Sequence, residues 1–182
     1  MGMPHSVLLV ILILLVIGLI LEAIWFISTL QSIAGGAPFI SLSRKRARTA
    51  WAAAGLQPGE TIYELGCGDA RHLIYACRQY SVMGVGIDIS WWPLLGASLR
   101  ILSSGMGKQV RLIWGNVRRI DLSSADVVYM YLGQKLSDSL REKFKNELKP
   151  GARIISAQFP LTDWTPNTVL GDPKRPIYIY QR

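Results

Sequence analysis

Cysteine is scarce in this chain: two thiols, Cys67 and Cys77, among 182 residues. Two cannot build a disulfide framework, and they form no metal-ligand pattern, so a reduced compartment and no metal centre are expected. Acidic residues are also few, 12 against 20 basic ones, for a formal net charge of +8. Such a balance points to an anionic partner surface. An RNA- or DNA-binding motif is missing, so a membrane surface accounts for the charge better than nucleic acid does. No Lys or Arg precedes Val7. That speaks against a secretory signal peptide, which carries a basic n-region. No internal repeat is visible, and one apolar run is the only biased stretch. The length suits one α/β domain with an appendage.

That run is Val7 to Leu21, which has no polar side chain, continued after Glu22 by Ala23-Ile-Trp-Phe-Ile27. A bilayer core takes about 20 apolar residues as a helix, so residues 7–27 are expected to span a membrane. Glu22 then sits at headgroup level beside an aromatic belt of Trp25 and Phe26. After the span come Arg44-Lys-Arg-Ala-Arg48. Positive charge on that side places the carboxy-terminal part in the cytosol or an organellar matrix, with the cluster close to anionic headgroups. The expected organisation is an anchor over 1–30, a linker over 31–43 broken by Gly35-Gly36 and Pro38, and one domain over 44–182.

Within that domain, Arg44 to Leu56 reads as an amphipathic helix closed by Gly55 and Pro58-Gly59. Strands and helices then alternate, the pattern of a parallel sheet with crossover helices. Strands are expected at Thr61–Leu65, Val82–Ile89, Val110–Trp114, Asp126–Leu132 and Arg153–Phe159. Helices are expected at Arg71–Tyr80, Trp91–Ser103 and, unbroken, Lys135–Leu148. The tail around Val169-Leu170 and Ile177–Tyr180 is too short for another crossover helix, so it is expected to form an antiparallel hairpin at the sheet edge.

The chemistry centres on Thr61-Ile-Tyr-Glu-Leu-Gly-Cys-Gly-Asp-Ala-Arg71: a strand, a glycine turn and a helix start. Gly66 and Gly68 let backbone approach a nucleotide-like ligand. A pyrophosphate site needs G-x-G-x-x-G with the glycines opening the helix. Here an acid, Glu64, stands two positions before the first glycine, where it would repel a pyrophosphate and suit a cation. Asp88, at the end of the next strand, can take a hydroxyl pair. This charge placement favours S-adenosylmethionine, with its ammonium, sulfonium and ribose, over NAD.

The ordered set resembles the Rossmann-like class I S-adenosylmethionine-dependent methyltransferases. The residues that carry it are Glu64-Leu-Gly-Cys-Gly-Asp-Ala70, Asp88, Gly115-Asn116, Asp126-Val-Val-Tyr129 and Leu148-Lys-Pro-Gly-Ala-Arg153. Pro38-Phe39-Ile40 and Phe159-Pro-Leu-Thr-Asp-Trp-Thr-Pro166 are similar, more specifically, to membrane-anchored protein-lysine methyltransferases. The resemblance implies a Rossmann-like sheet with crossover helices and a C-terminal hairpin, preceded by one transmembrane helix. It implies cofactor contacts from Glu64, Gly66, Cys67, Gly68 and Asp69 in the loop, Asp88 at the ribose, and Ile89, Asn116 and Val117 at the adenine. Two departures are Ala70, where that family usually has glycine, and Asp88, often Glu. Tyr131, Phe159 and Trp164 are the candidates for the acceptor side; for Phe159 and Trp164 a cap over the sheet edge is the competing reading, and Tyr129 reads as core. The implied acceptor is a lysine on a membrane-associated protein. A lipid-headgroup or small-molecule methyltransferase and an inactive cofactor-binding adaptor remain the alternatives.

Overall fold

A computed structural model of the chain describes residues 4–34 and 43–182. Pro38-Phe39-Ile40 and most of the expected linker lie outside the described residues. Helix α1 runs His5–Ala34. It continues through Gln31–Ala34, four residues into the expected linker, because no helix breaker occurs before Gly35. Its His5–Gln31 stretch contains an 18-residue window of mean hydropathy 3.3 and is long and apolar enough to cross a membrane. Between Val7 and Ile27 every large apolar side chain but the half-buried Ile24 is exposed, whereas Ser28 is buried against the rest of the molecule. One membrane-spanning segment is what this helix supports.

Helix α2 (Arg44–Ala53) starts at a Ser43 cap, whose Oγ accepts from the Arg46 N–H, and buries Ala47, Ala50 and Trp51. Then follow β1 (Thr61–Leu65), α3 (Arg71–Tyr80), β2 (Met83–Asp88), α4 (Trp91–Ser103), β3 (Val110–Trp114) and β4 (Val127–Met130). The remainder is α5 (Gln134–Ser139), α6 (Arg141–Glu147), β5 (Arg153–Ala157), β6 (Thr168–Asp172) and β7 (Arg175–Gln181). The seven strands lie in the order β3-β2-β1-β4-β5-β7-β6. The first five are parallel, and β7 pairs antiparallel with both β5 and β6. The hairpin therefore enters by its second strand. After β3 the chain crosses back to lay β4 beside β1, which opens a crevice at their carboxyl ends.

Side chains alternate across the sheet. Ile62, Val127 and Tyr129 face the layer of α2, α3 and α4. Tyr63, Leu65, Val128 and Met130 face α5 and α6, with Leu140, Phe144 and Tyr180. The first layer sits close because β2 carries Gly84 and Gly86: a Cβ on Gly84 would be 2.5 Å from Cys77 Sγ, and one on Gly86 2.8 Å from Cys67 Sγ.

The expected helix over 135–148 is two helices, α5 and α6, joined at Leu140. Ser139 Oγ donates to the Leu136 carbonyl at 2.7 Å, and the hydroxyl of Ser137 donates to Leu132. Such local bonds compete with the helical ladder, and the bend buries Leu140 completely. The strands expected at 126–132 and 153–159 end earlier, at Met130 and Ala157, so their last residues are loops over the crevice.

Candidate functional site

The carboxyl ends of β1 to β5 converge on one edge. Gly66 and Gly68 both have positive φ, +74° and +54°. A Cβ on Gly66 would come within 2.9 Å of Leu132. The Gly66 and Cys67 amides donate to the Ile87 carbonyl, at 2.8 and 3.0 Å, and this fastens the loop to the end of β2. Ala70, at φ +54°, takes a left-handed conformation at the start of α3 and is fully buried. Cys67 is buried too, and burial pushes its thiol well above the ordinary range. It fills space over Gly86 and is no nucleophile.

Two acids define the crevice. Asp88 Oδ2 accepts from the Gly68 N–H at 2.8 Å, and Oδ1 from the Ser90 N–H at 2.9 Å. Burial raises its carboxyl, and these amides offset part of the rise. Each oxygen keeps a lone pair for a further donor. Glu64 is paired in register with Tyr129 on β4 and is 4% exposed. Burial pushes its carboxyl up to about 8, partly offset by the Leu73 N–H in the first turn of α3. Its Oε2 is buried without a hydrogen-bond partner. A buried, unmatched carboxylate oxygen is costly unless a ligand completes it.

Asp69 stands apart. Burial would raise it, but Arg71 and Arg100 hold its carboxyl below the usual range. Arg71 Nε lies 2.8 Å from Oδ1 and Arg100 Nη2 2.9 Å from Oδ2. Its carboxylate is therefore committed to bracing the loop. Beyond β3, Gly115 N–H donates to the Asp88 carbonyl, and Asn116 Oδ1 accepts from the Arg118 N–H at 3.0 Å. Val117 is buried behind Asn116, and the Ile89 carbonyl accepts from Trp114 Nε1.

On the acceptor side the structure brings Tyr131 and Phe159 together, with stacked rings 6.1 Å apart. The Arg46 guanidinium lies 5.9 Å over the Tyr131 ring, and the Tyr131 hydroxyl donates to Gln158 Oε1 at 3.2 Å. Trp164 does not join them. It packs on the opposite side of the sheet against Tyr180, at 5.9 Å, with Lys145 over its ring. The reason is local: Asp138 accepts from Thr162 N–H and Oγ1, and Arg141 binds the Thr162 carbonyl and Asp163, which pins the segment to α5 and α6. For Trp164 the sheet-edge cap is the arrangement found.

A profile of the ANTKMT methyltransferase domain matches residues 64–168, more than half of the chain. The chain belongs to that family. A protein-lysine N-methyltransferase of Saccharolobus islandicus is 30% identical over 79% of this chain and 92% of that protein. The adenine nucleotide translocase lysine N-methyltransferase of Mus musculus is 25% identical over 79% of this chain, which spans 62% of that protein's length. Among solved structures, an RNA methyltransferase from Salinibacter ruber bound to S-adenosyl-L-homocysteine superposes with a TM-score of 0.76 at 25% identity, over 78% of this chain and 93% of that one. This member of the ANTKMT methyltransferase family is thus a class I S-adenosylmethionine-dependent enzyme, with S-adenosylmethionine as its cofactor. The residues present suit that group: an orphaned buried carboxylate oxygen for a cation, a second acid with free lone pairs, and a glycine turn that a side chain would block.

Three features of this site were not singled out in the sequence. Trp51 of α2 packs on Tyr129 with rings 4.6 Å apart, and both its Nε1 and the Tyr129 hydroxyl are buried without partners. Glu64, whose Oε2 is likewise unmatched, lies close enough to act electrostatically on the Tyr129 hydroxyl. Gln158 holds φ +78°, a conformation that costs a non-glycine residue about 1–3 kcal/mol and collects at functional sites. No sequence pattern marks it. For Trp51, the apolar spacing of α2 signals burial but not the unmatched indole N–H.

Proposed function

We propose that this chain methylates lysine side chains of membrane-associated proteins, with residues 1–30 as anchor, 31–43 as linker and 44–182 as the catalytic domain. The observation that carries this reading is the pairing of an orphaned buried carboxylate at the end of β1 with a stacked aromatic pair at the ends of β4 and β5. Kinship with protein-lysine methyltransferases selects the acceptor. Bound S-adenosylmethionine supplies a methyl group on a sulfonium, ready for in-line attack. Glu64 holds its ammonium and Asp88 both ribose hydroxyls. Gly66, Cys67, Gly68 and Asp69 give backbone to the cradle, while Ile89, Asn116 and Val117 border the adenine.

Tyr131 and Phe159 wall the route of a lysine's alkyl stem and exclude water. Lysine has an ordinary pKa near 10.4 and must lose a proton before its nitrogen can attack. A desolvated aromatic channel lowers that pKa without a dedicated base. The nitrogen lone pair then forms the new bond to the methyl carbon as the carbon–sulfur bond breaks. That electron pair returns to sulfur, S-adenosylhomocysteine leaves as a neutral thioether, and the methylated ammonium can shed a proton to water. Orientation and desolvation contribute most of the rate. The catalytic domain sits on the cytosolic or matrix side, with Arg44, Lys45 and Arg48 toward anionic headgroups. Tethering raises the effective concentration of substrates in the same membrane.

The test is incubation of the full chain in nanodiscs with labelled S-adenosylmethionine and a membrane extract. Label on protein, recovered as methyl-lysine after hydrolysis, is expected. Label in the organic phase alone would overturn the lysine assignment in favour of a lipid acceptor. Label in nucleic acid would do the same in favour of an RNA substrate. Cofactor binding with no transfer would mark an adaptor.

A further inference from the structure

Helix α4 has two apolar sides. Leu94, Ala97 and Ile101 point into the core. Leu95, Leu99 and Leu102 follow the same helical spacing on the other side and are 48%, 62% and 78% exposed. A surface helix of a soluble domain keeps that face polar. Three leucines in one exposed row need a partner.

The position of α4 says which partner. Ser90, which caps α4, donates its hydroxyl to the Ser28 carbonyl of α1 at 3.1 Å, and Ser28 is buried there. About 20 helical residues fill a bilayer core, so a span over Val7–Ile27 ends one residue before this contact. Helix α4 is thereby held at headgroup depth beside the anchor. Two of its exposed leucines, Leu95 and Leu99, share a cavity lining with Trp25 of α1. Between the two helices lies a cavity of ≈460 Å³, lined on its apolar side by Trp25, Trp92, Leu95 and Leu99 and on its polar side by Ser28, Thr29 and the Asp69–Arg100 pair. Charge agrees. Helix α2 packs on α3, and α3 on α4, so Arg44, Lys45 and Arg48 are exposed in the same helical layer.

We propose that α4 is a second membrane contact: an interfacial helix whose Leu95-Leu99-Leu102 row enters the headgroup–acyl boundary next to α1. Amphipathic helices of this kind bind through buried apolar area plus attraction to anionic lipid. The contact fixes the orientation of the enzyme as well as its distance from the bilayer. Helix α4 begins directly after the Asp88–Ser90 turn, so the rim of the cofactor crevice is set at the membrane surface. The inference rests on α1 spanning the membrane, and its test separates the two.

The full chain, reconstituted in vesicles of phosphatidylcholine with phosphatidylserine, is spin-labelled in turn at Leu14→Cys, Leu99→Cys, Leu102→Cys and Val169→Cys. The native Cys67 and Cys77 are buried and do not compete for label. Collision with oxygen relative to a water-soluble nickel complex is the readout. Labels at Leu99 and Leu102 are expected to favour oxygen severalfold over the label at Val169, which lies on strand β6 and is exposed. Aqueous behaviour at Leu99 and Leu102 with a lipid-exposed Leu14 overturns the α4 contact and leaves the anchor standing. An aqueous Leu14 overturns both. Spin–spin broadening at Leu99 without oxygen enrichment assigns the face to a second copy of the chain and overturns the lipid contact. A Leu99→Glu, Leu102→Glu variant, altered only at exposed positions, is expected to lose the oxygen preference of a label at Leu95→Cys; retention of it also overturns the proposal.

Discussion

The two faces of the sheet are built differently. Under α5 and α6 the core is bulky and closed: Leu136, Leu140, Phe144, Ile154 and Tyr180, with the Tyr180 hydroxyl accepting from the Leu161 N–H at 2.8 Å. Under α2, α3 and α4 alanines such as Ala47, Ala50, Ala70, Ala76 and Ala97 mix with larger residues such as Leu73, Ile74 and Ile155 around Trp51 and Tyr129. Apart from Gln31 on α1, every buried side-chain atom without a partner among the described residues lies on this second face: Glu64 Oε2, Trp51 Nε1 and the Tyr129 hydroxyl. One face is optimised for stability. The other keeps unmatched polarity, which a folded protein retains where a ligand completes it.

Substitutions that separate binding from stability test this contrast. The largest effect is expected at Asp88. In the role proposed for it, Asp88 gives two hydrogen bonds from a charged group to the ribose, each about 1.5–3 kcal/mol, so for Asp88→Ala cofactor affinity by calorimetry should fall more than ~100-fold. Wild-type affinity in that variant would remove Asp88 from the site. Phe144→Ala, on the closed face, should cost about 3–5 kcal/mol of stability in denaturant titration, with the dissociation constant of the folded protein unchanged. A matching loss of affinity would show that the two faces are not separable.

Glu64 gives a pH signature. Its folded value of about 8 lies above the ordinary 4.5. The native carboxyl holds its proton more tightly than the unfolded one. Its stabilising share is therefore complete below pH 4.5 and lost as pH rises to about 8. Glu64→Gln should flatten that decline in thermal unfolding of the ligand-free protein. Cofactor binding runs the other way: a cation prefers the carboxylate, so wild-type affinity should rise with pH until the ligand's own α-ammonium titrates, near pH 8. Binding should release a proton, detectable in buffers of different ionisation enthalpy, and the Gln variant should not show it.

The smallest effect is at Ala70. Glycine there relieves a left-handed conformation worth about 1–2 kcal/mol but gives up a buried methyl worth about 0.8 kcal/mol. Ala70→Gly should raise the unfolding midpoint slightly or leave it unchanged. A clear loss would mean that its methyl, and not its backbone, matters to the loop.

Much of this was legible in the sequence. Hydrophobic runs and turn residues located β1 and β3 to the residue and α3 and α4 approximately, because Gly66, Pro93, Gly105 and Gly115 punctuate them. Glu64 could be singled out because it stands two positions before Gly66, and Asp88 because it ends the next strand after the glycine turn. What was hidden depends on side-chain choices between distant segments. The break at Leu140 follows from the Ser137 and Ser139 hydroxyls, which a period count reads as tolerated helix residues. Trp164 was drawn toward the acceptor side by its neighbours in sequence, but Asp138 and Arg141, some 25 residues earlier, hold it on the other face. The unmatched hydroxyl of Tyr129 is invisible to any pattern, since a buried tyrosine looks the same with its oxygen satisfied or not.

The glycines of β2 carry one more consequence. A methyl at residue 84 and the sulfur at residue 77 would claim the same space, as would a methyl at 86 and the sulfur at 67. Each pair shares one fixed volume, so bulk gained by one member has to be surrendered by the other. If neither yields, α3 must rise off the sheet and lift the Gly66–Gly68 turn at its head. The height of the cofactor cradle is in this sense measured from below, by a shim two atoms thick.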